Sequence, residues 1–333
     1  MKIKRIIIIL LFPLSILQAQ VKTNGYLSFD FIKGEAEFSG GSFRNLSLGI
    51  FFSGELTSRI NYLAEVRFKS AERIEVEQGW LRLKPSEAFS LLFGVYLVPF
   101  GRYNQANRAH ETLLINPPLP LENAYPSSWR EIGVLIEGRL GWFMYSGYLG
   151  NGSQEGPYFK DGQQFSDNNS DKGKGGRLAL SPSRGLDFGF SYYRGMYDEE
   201  NKRELSLLGA DLRWLSEGFL FLFEYVKTRG ENPEGFEEGT IEGYFIQASF
   251  DLGRIRSVLS YQRLDYEDMF HGQGFQSPSN PGEGISLHKR RWGLGLIYMA
   301  TQNILLKLEY DLNREKEVEL KDNTLTVQVA FNF

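Results

Sequence analysis

The chain has 333 residues, a net charge of −4 and no cysteine. The missing cysteine excludes a disulfide framework and a thiolate metal site, and the acidic balance argues against a nucleic-acid partner. Aromatic residues make up 14% of the sequence and glycines number 36, a composition that suits a transmembrane β-barrel.

The first element is a targeting segment. Lys2, Lys4 and Arg5 precede an apolar run from Ile6 to Leu17, and Leu17-Gln18-Ala19 offers a small residue for cleavage. Residues 1–19 therefore read as a secretory signal peptide. Its three positive charges leave with it, so the remainder is more acidic still. Beyond it no stretch approaches 18 consecutive apolar residues, so a transmembrane helix is not expected. Residues 20–333 are expected to form one domain.

From Tyr26 onward the chain alternates. Leu27, Phe29 and Phe31 share one face, with Ser28 and Asp30 on the other. Ile60, Tyr62, Ala64, Val66 and Phe68 alternate with Asn61, Leu63, Glu65, Arg67 and Lys69. The segment 73–84 is less regular, with Ile74, Val76, Gln78, Trp80 and Arg82 in one row. The final run sets Leu325, Val327, Val329, Phe331 and Phe333 against Thr324, Thr326, Gln328, Ala330 and Asn332. Period-two alternation predicts strands with one apolar and one polar face, and about sixteen such segments follow one another. In a bilayer the apolar face would meet lipid and the polar face would line a lumen. Tyr26, Trp80, Tyr96, Trp142, Tyr148, Trp214, Tyr225, Tyr244, Tyr298 and Tyr310 lie near strand ends, where interfacial aromatic girdles are expected.

The connections separate this from a soluble sandwich. The first, third and later odd connections are long, apart from 70–73; the even ones, such as 139–141, 216–218 and 253–254, hold two to five residues. Short turns on one side and long loops on the other are the rule in outer-membrane barrels. The expected fold is all-β: a transmembrane antiparallel up-and-down barrel of about 16 strands. Inward glycines (Gly49, Gly209, Gly293, Gly295) leave space and favour an open pore.

The third long connection, Val98–Arg130, interrupts the alternation with five prolines: Pro99, Pro117, Pro118, Pro120 and Pro126. Proline cannot sit inside a central strand, and structureless segments of this length are usually functional or disordered. We expect residues of about 101–130 to fold into the lumen as a constriction.

Three features carry a resemblance. The last strand is aromatic-rich and ends in Phe333. Gly94 precedes Leu97-Val98-Pro99-Phe100-Gly101, and Trp129-Arg130-Glu131-Ile132-Gly133-Val134 follows the long loop. The sequence resembles the phosphate-selective porin O and P family in these segments, in the string Asn151-Gly152 to Gly176-Arg177-Leu178 and in overall architecture. The resemblance implies a sixteen-stranded, trimeric outer-membrane porin. The arginine ladder and lysine cluster of phosphate-selective members have no residue-by-residue match here.

Selectivity in a pore comes from its width and lining charges. At the constriction we place Arg102, Arg108, His110, Glu111, Arg130 and Glu131. Parity turns Arg67, Lys69, Arg177, Arg213, Arg256, Arg291 and Lys307 inward on the wall, along with as many carboxylates, including Glu65, Asp187, Asp211, Glu224 and Glu309. Guanidinium groups suit phosphate and carboxylates. His110, His271 and His288 sit in or beside loops, without the neighbours a catalytic set requires. Asp161, Asp167, Asn168, Asn169 and Asp171 offer oxygen atoms but not the spacing of a calcium loop. The expected function is passive diffusion of small hydrophilic solutes or inorganic anions across outer-membrane lipid, with a phosphate preference as the sharper form. No catalysis, cofactor, metal or nucleic acid is expected. A substrate-specific organic-anion channel and a plugged structural or adhesin barrel are the alternatives.

Overall fold

The computed structural model describes residues 21–70, 73–126, 128–275 and 287–333; the leader expected over residues 1–19 lies outside them. Sixteen strands follow in chain order. The first eight are β1 (Lys22–Gly34), β2 (Ser42–Thr57), β3 (Ile60–Lys69), β4 (Arg73–Ser86), β5 (Phe89–Leu97), β6 (Arg130–Leu140), β7 (Phe143–Gly150) and β8 (Gly173–Ser183). The rest are β9 (Leu186–Met196), β10 (Glu204–Ser216), β11 (Phe219–Gly230), β12 (Gly239–Leu252), β13 (Ile255–Asp268), β14 (His288–Met299), β15 (Ile304–Glu315) and β16 (Thr324–Asn332). Each pairs antiparallel with its sequence neighbours, and β1 pairs with β16 to close the barrel. Closure satisfies every ladder without an edge, which a bilayer requires of a sheet. Among the described residues no helix is long and apolar enough to cross a membrane.

The connections alternate as expected. From β2–β3 to β12–β13 each even connection has two residues between strand ends, and β14–β15 has four. These turns mark one rim; the long loops mark the other, external rim.

Outward rows are apolar and exposed, inward rows polar and buried. On β14, Trp292, Leu294, Leu296 and Tyr298 are exposed while Ile297 is buried. On β15 the buried row is Lys307, Glu309, Asp311 and Asn313. Such an inside-out pattern leaves dozens of large apolar side chains uncovered, far beyond what a water-soluble surface carries; a lipid shell covers them without cost.

The irregular segment in β4 has a local cause. The β3–β4 register shifts between Glu65 and Val66, leaving Glu77 as an extra residue in a bulge. A bulge flips side-chain parity. Ile74 and Val76 therefore face outward on one side of it, Leu81 and Leu83 on the other, and Arg82 points inward to Glu137 (3.0 Å).

The aromatic girdle is partly corrected. Trp142, Trp214 and Tyr298 are exposed near strand ends as expected and Tyr310 is exposed in mid-strand, whereas Tyr26, Tyr96 and Tyr148 are buried in the inward rows. For two of them the hydroxyl gives the direction: Tyr26 accepts from Arg67 Nε at 2.5 Å, and Tyr96 donates to the Leu149 carbonyl at 3.2 Å, while Tyr148 packs edge-on against Tyr96 at 6.5 Å.

Candidate functional site

The connection between β5 and β6 enters the lumen. Its stems are clamped first. Asn104 Nδ2 donates to the Val98 and Trp129 carbonyls (2.9 and 2.8 Å), and Trp129 N–H donates back to Asn104 Oδ1 (2.9 Å). Gln105 adds bonds to the Leu97 and Val98 carbonyls, both 2.9 Å. Two glycines permit the entry. Gly94 holds φ +126°, and a Cβ there would lie 2.1 Å from the Gly79 carbonyl oxygen. Gly101 holds φ +63°, and its Cβ would lie 2.0 Å from Glu224 Oε1. Both are positions only glycine tolerates. They are the glycines of the segment that carried the family resemblance.

Beyond the stems the loop docks around the wall. Gly101 N–H donates to Ser191 Oγ on β9 (3.0 Å), and Arg102 and Tyr103 N–H donate to Glu224 on β11 (3.0 and 3.1 Å). The chain then crosses to the far side. Arg108 pairs with Glu65 on β3 (2.9 Å) and lies 4.9 Å over the Phe51 ring of β2; His110 packs 5.4 Å from Tyr26 of β1. Lys307 of β15 donates to the Thr112 carbonyl (2.6 Å), and Glu309 accepts from the N–H groups of Ile115 and Asn116. A short helix, α1 (Leu119–Asn123), returns along β13 and β12. Leu119 N–H donates to Gln262 (2.8 Å), and Thr228 of β11 donates to the Ala124 carbonyl.

Here the reading of the inward glycines is corrected. Apart from Gly49, which is filled by Tyr26, they are seats for this loop and do not leave an open bore. A Cβ at Gly209 would meet the Phe100 ring at 2.9 Å; Cβ atoms at Gly293 and Gly295 would meet Leu114 at 3.0 and 2.6 Å. Phe100, Tyr125 and Trp129 pack in tilted and edge-on contacts with ring centroids 5.7–5.8 Å apart, and Trp129 meets Tyr193 edge-on at 4.9 Å. Above them Phe159 stacks on Phe270 at 5.1 Å, bringing the loops after β7 and β13 over the mouth. The external lumen beside β8 to β13 is thus filled by an apolar core.

Space remains elsewhere. An upper chamber of ≈ 340 Å³ lies against Asn45, Arg67 and Lys69 and is bounded by Asn107, Pro117 and Glu122 of the loop. A lower chamber of ≈ 400 Å³ lies beneath, against Leu222, Phe245 and Arg213. Tyr103 lines both.

The site residues named from sequence divide into groups. Arg102 faces the lower chamber and contacts Asp187 at 3.5 Å. Arg108 is held between Glu65 and Glu111 (3.2 Å), and Glu111 is exposed to the lower chamber. His110 is half-buried, and burial depresses its pKa. Arg130 and Glu131 belong to the wall and are not at the constriction. Arg130 is buried against Glu75 (3.3 Å) and Glu77 (3.2 Å) and lies under the Phe165 ring. Glu131 is fully buried between Trp129 Nε1 (3.3 Å) and the Gly152 N–H (3.0 Å). The loop ends one residue before Arg130, so these side chains join β6.

The seven wall cations face inward, and each has a partner. Arg67 meets Glu77 (3.2 Å), Lys69 meets Glu75 (2.9 Å), Arg177 meets Asp211 (2.6 Å) and Arg213 meets Asp187 (3.3 Å). Arg256 meets Asp251 (3.0 Å), Arg291 meets Asn313 (2.8 Å) and Glu122 (3.7 Å), and Lys307 holds Thr112. The oxygens of the 161–171 loop are also engaged: Asp167 by Lys172, and Asp171 by the Met196 N–H (2.9 Å).

Sequence reasoning missed Tyr103 and Glu122. Tyr103 follows the Phe-Gly turn, and Glu122 sits on α1; neither breaks a pattern visible in one sequence. Burial raises the pKa of both.

The chain is similar in structure to the anion-selective porin from Comamonas acidovorans, with a TM-score of 0.70 and 12% identity over 95% of this chain and 100% of that one. It is similar to Salmonella typhi OmpF in complex with daunomycin, at 0.68 and 11% over 94% and 97%. The trimer form of Vibrio cholerae OmpT, an outer membrane protein, matches at 0.66 and 10% over 95% and 99%. No family model matches the sequence, and no curated protein matches it. At such identities the likeness is one of fold, and nothing in it singles out a phosphate-selective branch.

Proposed function

We propose that this barrel is an outer-membrane porin, a passive path for small hydrophilic solutes and ions set in outer-membrane lipid. The observation that carries the reading is the docked loop. It divides a lumen lined by charged side chains into an upper and a lower chamber, and Tyr103 lines both. A sheet with this exposed apolar exterior is stable only in lipid, and a divided aqueous lumen is how such a barrel sets a size limit. The structural neighbours include proteins described as an anion-selective porin and as a trimer form. We extend to this chain a homotrimeric assembly.

A phosphate or inorganic-anion preference is the finer form of the reading. It would need uncompensated cations in the pore. Most lumenal cations are paired, with Arg102 and Arg213 sharing Asp187, so we expect weak discrimination between potassium and chloride. Reversal potentials in a KCl gradient measure this directly.

A second reading has its own observation. The loop reaches β1 to β3 on one side and β9 to β15 on the other, so a plugged structural or adhesin barrel would look similar. Planar-bilayer recording separates the two. The porin reading expects discrete conductance steps from purified protein. Folded, inserted protein that passes no current would favour the plug and end the porin reading.

A further inference from the structure

Beneath the loop the lumen is unexpectedly apolar. The lower chamber, ≈ 400 Å³, is walled by Leu113 of the loop, Leu220 and Leu222 of β11 and Phe245 of β12. Leu220 and Leu222 stand in an inward row, where water would favour polar side chains. Leu220 and Leu222 also pack on the small cluster of Leu113, Leu114, Val258 and Ile297. The surface is therefore continuous and rigidly backed.

Three guanidinium groups border this surface: Arg102, Arg177 and Arg213. Arg177 is committed, because its Nε and Nη2 both bond Asp211 (2.9 and 2.6 Å). Arg102 and Arg213 are not. Both reach for one oxygen, Asp187 Oδ2, at 3.5 and 3.3 Å, while Asp187 Oδ1 accepts the Ser181 hydroxyl. A guanidinium offers five donors in a planar fork that suits a carboxylate. Two of them sharing one oxygen at long range leave most of those donors without an acceptor among the described residues.

We propose that the lower chamber is a binding site for an amphipathic monocarboxylate. The carboxylate would bridge Arg102 and Arg213, and a six- to eight-carbon aromatic or aliphatic body would lie on Leu113, Leu222 and Phe245. The volume is within the range of small-molecule sites, which combine apolar walls with a few convergent polar groups. Inorganic phosphate fits less well. It has no apolar surface to bury, and its higher charge would face Asp187, Asp211 and Glu224. This inference deepens the porin reading and rests on it: solute arriving at the site must pass the loop.

The test uses purified full-length protein in planar bilayers, with chloride current as the readout and benzoate, hexanoate, acetate or phosphate added in turn. Benzoate and hexanoate are expected to reduce the current saturably, at concentrations at least about tenfold below acetate, the factor that full burial of about two methylene groups gives. Leu222→Asn and Leu222→Ala should each narrow the gap between hexanoate and acetate. Arg213→Gln should weaken block by every carboxylate. Equal block by benzoate and acetate, or stronger block by phosphate, would overturn the site. If no chloride current appears, the porin reading fails instead. Calorimetric titration of the folded barrel with benzoate then decides the site alone, and an absence of saturable heat would overturn it.

Discussion

The seat of Leu114 on Gly295 offers the sharpest test of loop docking. Leu114 is 2% exposed and packs with Leu113, Val258 and Ile297. Truncating it to alanine removes buried carbon and leaves a cavity, at about 2–5 kcal/mol. Gly295→Ala does the opposite. Its new Cβ would lie 2.6 Å from Leu114 Cδ2 and 3.1 Å from Val258 Cβ, so the leucine must retreat by about 1 Å to regain a normal 3.5–4 Å contact. Overpacking of this kind costs about 1–3 kcal/mol. Were the sites independent the costs would add. They touch, so in the double variant the alanine Cβ occupies space the leucine vacated. The double variant should be no less stable than Leu114→Ala alone, a coupling of about 1–3 kcal/mol. Urea unfolding from lipid vesicles, followed by tryptophan fluorescence, measures each corner of the cycle. Additivity within about 0.5 kcal/mol, the level found for sites that do not touch, would refute the seating of this loop on the wall.

Five further outcomes follow from the same geometry. Gly94→Ala should abolish barrel assembly, because φ +126° and a carbonyl 2.1 Å from the new Cβ leave no relaxed conformation; heat-modifiable mobility on gels reads the folded fraction. Arg130→Ala leaves the fully buried Glu77 with Arg67 as its remaining cation, so stability should fall by about 1.5–3 kcal/mol, the range for a lost hydrogen bond to a charged group. Its reversal potential should match the parent, since Arg130 is in the wall; a shift would return it to the constriction. Burial raises the pKa of Glu122 beside Arg291, so falling pH neutralises it above the usual carboxylate range and leaves the upper chamber more positive. Reversal potentials should therefore move toward chloride on acidification, and less so in Glu122→Gln. The same raised pKa favours the folded state below the ordinary carboxylate range and loses that contribution as pH rises through the elevated value, so Glu122→Gln should also flatten that part of the stability profile.

The barrel was legible because its signals repeat. Alternation such as Leu325 to Phe333 and turns such as Gly253-Arg254 recur around the sheet, so one irregular strand does little harm to the count. Where β4 misled, the reason was one residue: Glu77 adds a bulge that flips parity, and period-two reading has no way to register an insertion. The inward direction of Tyr26, Tyr96 and Tyr148 was illegible for another reason. A tyrosine near a strand end suits the lipid interface or the lumen equally, and the choice rests on distant partners such as Arg67 and the Leu149 carbonyl.

The loop was legible as an interruption and not as a shape. Proline spacing marked where the sheet pattern stops, but the fold of the segment depends on contacts far away in sequence: Arg102 and Tyr103 with Glu224, Asn116 with Glu309, Leu119 with Gln262. These partners sit on strands where a lone carboxylate or glutamine reads as ordinary lumenal lining. The lumenal glycines illustrate the ambiguity best. A glycine on an inward row predicts space, and space can pass solute or admit a side chain. Phe100 at Gly209 and Leu114 at Gly293 and Gly295 decide for the second. The same logic governs charge. Equal numbers of inward cations and carboxylates left the sign of selectivity open, and pairing distances close most of that question by tying Arg177 to Asp211 and Lys69 to Glu75. What pairing leaves over is local. Arg102 and Arg213 share a single oxygen beside an apolar wall, so any preference the pore has should reside beneath the loop and should favour solutes with both a charge and a hydrocarbon face.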